Sequence, residues 1–149
     1  MKILIVFATY SGGTRTAGNI IEATLKKEHD VTSCSIVDFD PKLFNNFDFI
    51  VLGSNSWFEK KEEGQMNDGF HALKEKLMPD SFKGKSFALY ALGDSHLYHN
   101  TFAKAADHLE KMVRVFGGDV VVPPLKIDRF YFNEEKNEIM LGAESVTDR

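Results

Sequence analysis

What most constrains this chain is a series of short apolar runs that alternate with apolar stripes at helical spacing. Ile3 to Ala8 is continuous apolar sequence rich in branched residues, and Phe49 to Leu52 and Phe87 to Leu92 repeat the pattern. Runs of this length, without polar alternation, are strands buried on both faces, as in a parallel sheet. Val31 to Val37 and Asp119 to Val122 supply two further strands. Between them lie helices. Ala17, Ile20, Ile21, Thr24 and Leu25 share one face, as do Met66, Phe70, Leu73 and Leu77, a helix that Pro79 stops. Phe102, Ala105, Ala106, Leu109, Met112, Val113 and Phe116 form the clearest stripe, which ends at Gly117-Gly118. Strand–helix alternation predicts an α/β protein with helices on both faces of a five-stranded parallel sheet.

Length and composition narrow the class. The 149 residues are 43% apolar and 27% charged, which suits one folded domain spanning 1–149. Lys and Arg total 18 and Asp and Glu 22, a net charge of −4. A surplus of acid argues against wrapping nucleic acid, where phosphates must be neutralised, and suits docking on a basic partner surface. Cys34 is the single cysteine, so no internal disulfide forms, in keeping with a reducing cytoplasm. The longest apolar run is too short to span a bilayer, and no targeting segment is read.

In open α/β sheets, ligands sit beyond the carboxyl ends of the strands. Thr9-Tyr10-Ser11-Gly12-Gly13-Thr14 follows the first strand and opens a helix. Its hydroxyls, its glycines and the helix N–H groups suit an anion. Gly-Lys-Ser/Thr is absent, so this is not a Walker loop, and G-x-G-x-x-G is absent too. Ser54-Asn55-Ser56-Trp57-Phe58 follows the third strand and places the sole tryptophan in a hydrophilic loop. There it can cover a flat ring or fold down over the core. Leu92-Gly93-Asp94 closes the fourth strand, and Tyr98, Asn100 and Phe102 come after it. Tyr98 is either a second ring contact or a surface tyrosine. His96 and His99 near Asp94 lack the further ligands of a metal site. Cys34 reads as a small buried hydrophobe. Phe7-Ala8-Thr9-Tyr10 offers no acid after the first strand, which excludes a phosphorylated receiver domain.

Together the three loops resemble those of the flavodoxin family. Thr9 to Thr14 is similar to its hydroxyl-x-hydroxyl-Gly-x-Thr phosphate loop, Ser56-Trp57 to its Thr/Ser-Trp step, and Gly93-Asp94 with Tyr98 and Phe102 to its Gly-Asp-x-x-x-Tyr-x-x-x-Phe segment. The matches fall in order along residues 1 to about 128. The resemblance implies a flavodoxin-like three-layer sandwich with strand order 2-1-3-4-5. It also implies a non-covalent FMN and a low-potential one-electron carrier. Thr9 to Thr14 would meet the phosphate, while Trp57 and Tyr98 would flank the isoalloxazine. Backbone groups of Asn55 and Asp94 would face the ring's polar edge, with Ser54, Ser56, Phe58, Leu92, Gly93, Asn100 and Phe102 around them. Expected partners are a ferredoxin/flavodoxin-NADP reductase and an electron-accepting enzyme, for a cytoplasmic monomer. An FMN-dependent NAD(P)H:quinone oxidoreductase is the alternative on the same fold. Three features depart from the family, one of them Lys60 and Lys61, which make the rim less acidic than is usual there. Phe58 stands where glycine or asparagine is common, and the tail after Pro123-Pro124 holds at most a short helix near 133–141 where the family has a long one. Phe130-Tyr131-Phe132 is the other candidate cover for the sheet.

Overall fold

The computed structural model describes residues 1–8, 13–55, 57–59, 62–93, 104–128, 131–133 and 138–140. In chain order, β1 (Lys2–Ala8) leads to α1 (Gly13–Leu25) and β2 (Asp30–Ser35). Two 3-10 turns, Ile36–Asp38 and Pro41–Asn46, connect to β3 (Phe49–Asn55). A hairpin of β4 (Trp57–Glu59) and β5 (Glu62–Gln65) precedes α2 (Asp68–Lys76), and β6 (Ser86–Gly93) follows. After α3 (Ala105–Val115) come β7 (Asp119–Val120), β8 (Leu125–Asp128), β9 (Tyr131–Asn133) and β10 (Glu138–Met140). The main sheet is parallel and runs β2-β1-β3-β6, with β7 and β8 sharing the fifth position beside β6. This is the expected 2-1-3-4-5 order.

Alternation along the central strands builds the three layers. Leu4, Val6 and Ala8 of β1, Ile50 and Leu52 of β3, and Phe87, Leu89 and Ala91 of β6 face one side. There they meet Phe70 and Leu73 of α2 and Leu109, Met112 and Val113 of α3. Ile3, Ile5, Val51 and Tyr90 face the other side, under Ala17 of α1. Both faces are dry, so the strands read as unbroken apolar runs. Gly117 ends α3 at φ 91°, where a side chain would be strained. Lys85 Nζ closes the 41–46 turn by donating to the carbonyls of Phe44 and Phe47, each at 2.8 Å.

Several expectations are corrected. Strand two stops at Ser35, because the Ser35 hydroxyl accepts the Val37 N–H (3.3 Å) and starts a 3-10 turn. Cys34 is half-buried at the rim of the core, since β2 is an edge strand. The fifth strand is broken. Val121 still donates to the Phe87 carbonyl (3.1 Å), but Pro123 and Pro124 have no N–H for the ladder, and pairing resumes only at Leu125. The residues after the third strand form a hairpin rather than a plain loop. The helix expected near 133–141 is absent among the described residues. Glu138–Met140 pairs antiparallel with Tyr131–Asn133 instead, and β9 lies against α1. Ile139 and Met140 with Tyr131 and Phe132 are β-branched, aromatic or unbranched apolar residues that suit a short strand pair.

Candidate functional site

Register sets the carboxyl ends of three strands side by side. Ala8 pairs with Ser54 and Ser54 with Ala91, so β1 ends beside β3, which runs on to Asn55, and β3 beside β6, which runs on to Gly93.

The first turn of α1, Gly13-Thr14-Arg15-Thr16, holds no acidic residue. Its leading N–H groups have no carbonyl one turn earlier, and the helix dipole adds positive potential. Arg15 adds a cation, its guanidinium 5.3 Å from the centre of the Phe7 ring. Thr14 is 1% exposed, and its Oγ1 is buried without a hydrogen-bond partner among the described residues. Leaving a buried hydroxyl unpaired costs about 1–3 kcal/mol, so the position fits a ligand atom.

A second orphan sits across the strand ends. Asn55 Nδ2 is buried and unpartnered among the described residues. The other half of that amide is held: Asn67 Nδ2 donates to Asn55 Oδ1 at 3.2 Å. Ser54, fully buried, donates through its hydroxyl to the Asn55 carbonyl (2.8 Å) and accepts the Asn67 N–H (2.9 Å). Asn67 also caps α2, its Oδ1 accepting the Gly69 N–H at 2.8 Å. Ser54 and Asn55 thus clasp the far end of the 56–66 segment, which contains the β4–β5 hairpin. Opposite Asn55 in register is the half-buried Leu92.

Beneath these groups lies Tyr90, 1% exposed, whose hydroxyl donates to the Thr14 carbonyl at 2.9 Å. Burial pushes its phenol well above the ordinary range. The ring passes over Gly53, where an added Cβ would fall 2.0 Å from it, and the hydroxyl abuts Gly18, where one would fall 2.8 Å away.

The structure therefore brings Thr14, Ser54, Asn55 and Leu92 to one rim. Gly13 opens α1, Trp57 and Phe58 lie in β4, and Gly93 ends β6. Thr9, Tyr10, Ser11, Gly12, Ser56, Asp94, Tyr98, Asn100 and Phe102, with His96 and His99, lie outside the described residues. No group able to hold a metal ion occurs among the described residues. Sequence reasoning missed Asn67 and Tyr90. The first carried a signal, an N-cap residue type just before an apolar periodic stretch. The second had an indirect one: Gly18 inside a helical stripe and Gly53 at a strand end both ask for a bulky neighbour.

Comparison with known proteins agrees with this geometry. The flavodoxin family model matches residues 5–139. A Bacillus subtilis (strain 168) protein named "Probable flavodoxin 2" is 33% identical over 142 residues, covering 93% of this chain and 89% of its own. A flavodoxin of Maridesulfovibrio salexigens is 31% identical over 150 residues, covering 99% and 98%. Among solved structures, Fusobacterium nucleatum flavodoxin bound to flavin mononucleotide superposes with TM-score 0.70 at 24% identity, over 89% of this chain and 72% of that one. None of these three is named a quinone reductase.

Proposed function

The chain belongs to the flavodoxin family, and from that premise we propose that it carries electrons one at a time on a non-covalently bound FMN. The observation that carries the proposal is the buried Thr14 hydroxyl in the first turn of α1, which has no hydrogen-bond partner among the described residues. FMN supplies the one-electron chemistry, and the protein sets where it sits and at what potential.

In this reading the first turn of α1 and the Thr14 hydroxyl donate to the phosphate, with Thr9, Tyr10, Ser11, Gly12 and Gly13 completing the loop. The Asn55 amide supplies a further donor from across the strand ends. Ser54 and Asn67 hold the Asn55 carbonyl and Oδ1, so that Nδ2 is the free end. Trp57 and Tyr98 flank the ring and exclude water, and Ser56, Phe58, Leu92, Gly93, Asp94, Asn100 and Phe102 complete its surroundings. Glu59, Glu62, Glu63 and Asp94 raise the cost of a second negative charge nearby, which lowers the second-electron potential. The net charge of −4 suits docking on basic faces of redox proteins such as an NADP-linked reductase and an electron-accepting enzyme. The protein works as a cytoplasmic monomer, folded as one domain over 1–149. A lone cysteine supports the compartment, and no helix among the described residues is long and apolar enough to cross a membrane. Pro123 and Pro124 interrupt the outer edge of the sheet, which supports the monomer.

The purified protein is expected to show a flavin spectrum in visible light. Thr14→Val keeps the volume and removes the hydroxyl. It should weaken FMN by about 1.5–3 kcal/mol, the worth of a hydrogen bond to a charged group, and leave riboflavin nearly unchanged. Equal losses for both flavins in a fluorescence titration would mean that this turn does not hold the phosphate.

A further inference from the structure

Tyr90 pairs with Gly53 on β3 and reaches α1 with its hydroxyl, so one side chain joins elements that border each of the three loops in sequence. A phenylalanine would fill the same apolar space without burying a hydroxyl, whose transfer from water is unfavourable unless paired. Here the pair is the Thr14 carbonyl, 2.9 Å away and 76 positions distant in sequence. Two glycines make the reach possible, because a side chain at Gly53 would occupy the ring's place and one at Gly18 would crowd the hydroxyl.

The accepting carbonyl belongs to the Thr14–Arg15 peptide. Arg15 N–H, the other end of that peptide, is among the first N–H groups of α1, which have no partner within the helix itself. A hydrogen bond accepted at a C=O polarises its peptide and makes the N–H a better donor. Thr14 also carries the orphan Oγ1, so a bond to its main chain sets where that hydroxyl lies.

We propose that Tyr90 is a positioning residue for the phosphate subsite: its hydroxyl fixes the first turn of α1 through the Thr14 carbonyl and strengthens the donors that turn presents to a phosphate. The role rests on the FMN reading above. It does not need Tyr90 to touch the cofactor.

The test compares FMN and riboflavin binding to the full-length apoprotein, wild type against Tyr90→Phe. The wild type should prefer FMN. Tyr90→Phe should lose roughly fivefold or more in FMN affinity, the order of one hydrogen bond, with riboflavin changed by less than about twofold. A loss shared equally by both flavins, or an unchanged preference for FMN, overturns the proposal, since a purely structural hydroxyl would act on both alike. A wild type with no preference for FMN instead overturns the phosphate reading itself. Should Tyr90→Phe fail to fold, isotope-labelled wild-type apoprotein is titrated with inorganic phosphate. The Arg15 amide and the Tyr90 ring carbon bearing oxygen should shift together, with one midpoint. An Arg15 shift without a Tyr90 shift sinks the positioning role, and no shift at Arg15 sinks the subsite.

Discussion

Tyr90 should also be visible in how stability depends on pH. Desolvation by burial raises its folded-state pKa above the ordinary 10.0, so the neutral phenol is favoured in the fold. For a group raised in this way, the stabilisation is complete below the unfolded pKa and drains as pH climbs toward the folded one. Stability is therefore expected to hold up to about pH 10 and to fall beyond it, as the unfolded chain alone releases this proton. Urea unfolding of the apoprotein at several alkaline pH values should show a shallower decline for Tyr90→Phe, which has nothing to ionise there. Parallel slopes for the two proteins would assign the alkaline loss to other groups. The same residue marks a limit of sequence reading. As a letter, Tyr90 is one more apolar residue in Phe87 to Leu92, and its hydroxyl gains meaning only from Thr14 on another element.

At the scale of elements, the β4–β5 hairpin holds the feature with most consequence. Trp57 pairs with Gln65 and Glu59 with Glu62, so the register slips across Phe58. An irregularity of this kind re-aims the backbone at the residue it contains. The family resemblance expects the peptide after Trp57 to turn over on reduction, which requires positive φ at a central residue. A non-glycine residue there costs about 1–2 kcal/mol. Phe58→Gly is therefore expected to raise the first-electron potential, by about 40 mV for each 1 kcal/mol relieved. A potentiometric titration that moves only the second potential would mean that Phe58 acts by shielding the ring from water. The hairpin is hard to read from the letters, because its second arm, Glu62 to Gln65, carries no apolar alternation. The C-terminal pair β9–β10 was hidden for a related reason: strands this short leave a pattern that a helical turn also satisfies.

For the whole molecule, the net charge of −4 makes partner encounter a salt-dependent event. Electron transfer from a basic reductase, followed by stopped flow, should slow as ionic strength rises from roughly 0.01 to 0.3 M, over which the Debye length falls from about 30 Å to below 8 Å. A rate indifferent to salt would point to an apolar docking face instead. The layered α/β architecture stands in the letters alone. Strands buried on both faces must be apolar without alternation, and helices packed on them must be apolar on one side only, and both periods stand in the letters. The letters also place Thr14, Asn55 and Leu92 near strand ends, since glycines and hydroxyls break those runs visibly. Only tertiary contacts decide that the three strands end side by side, that Asn67 clasps Ser54 and Asn55, that Tyr90 crosses Gly53 to Thr14, and that the tail pairs as strands. All but the tail pairing, which is hidden by the shortness of its strands, are contacts between segments far apart in sequence. No local period encodes such a contact, because its energy exists only once both partners have been brought together and water has been excluded between them.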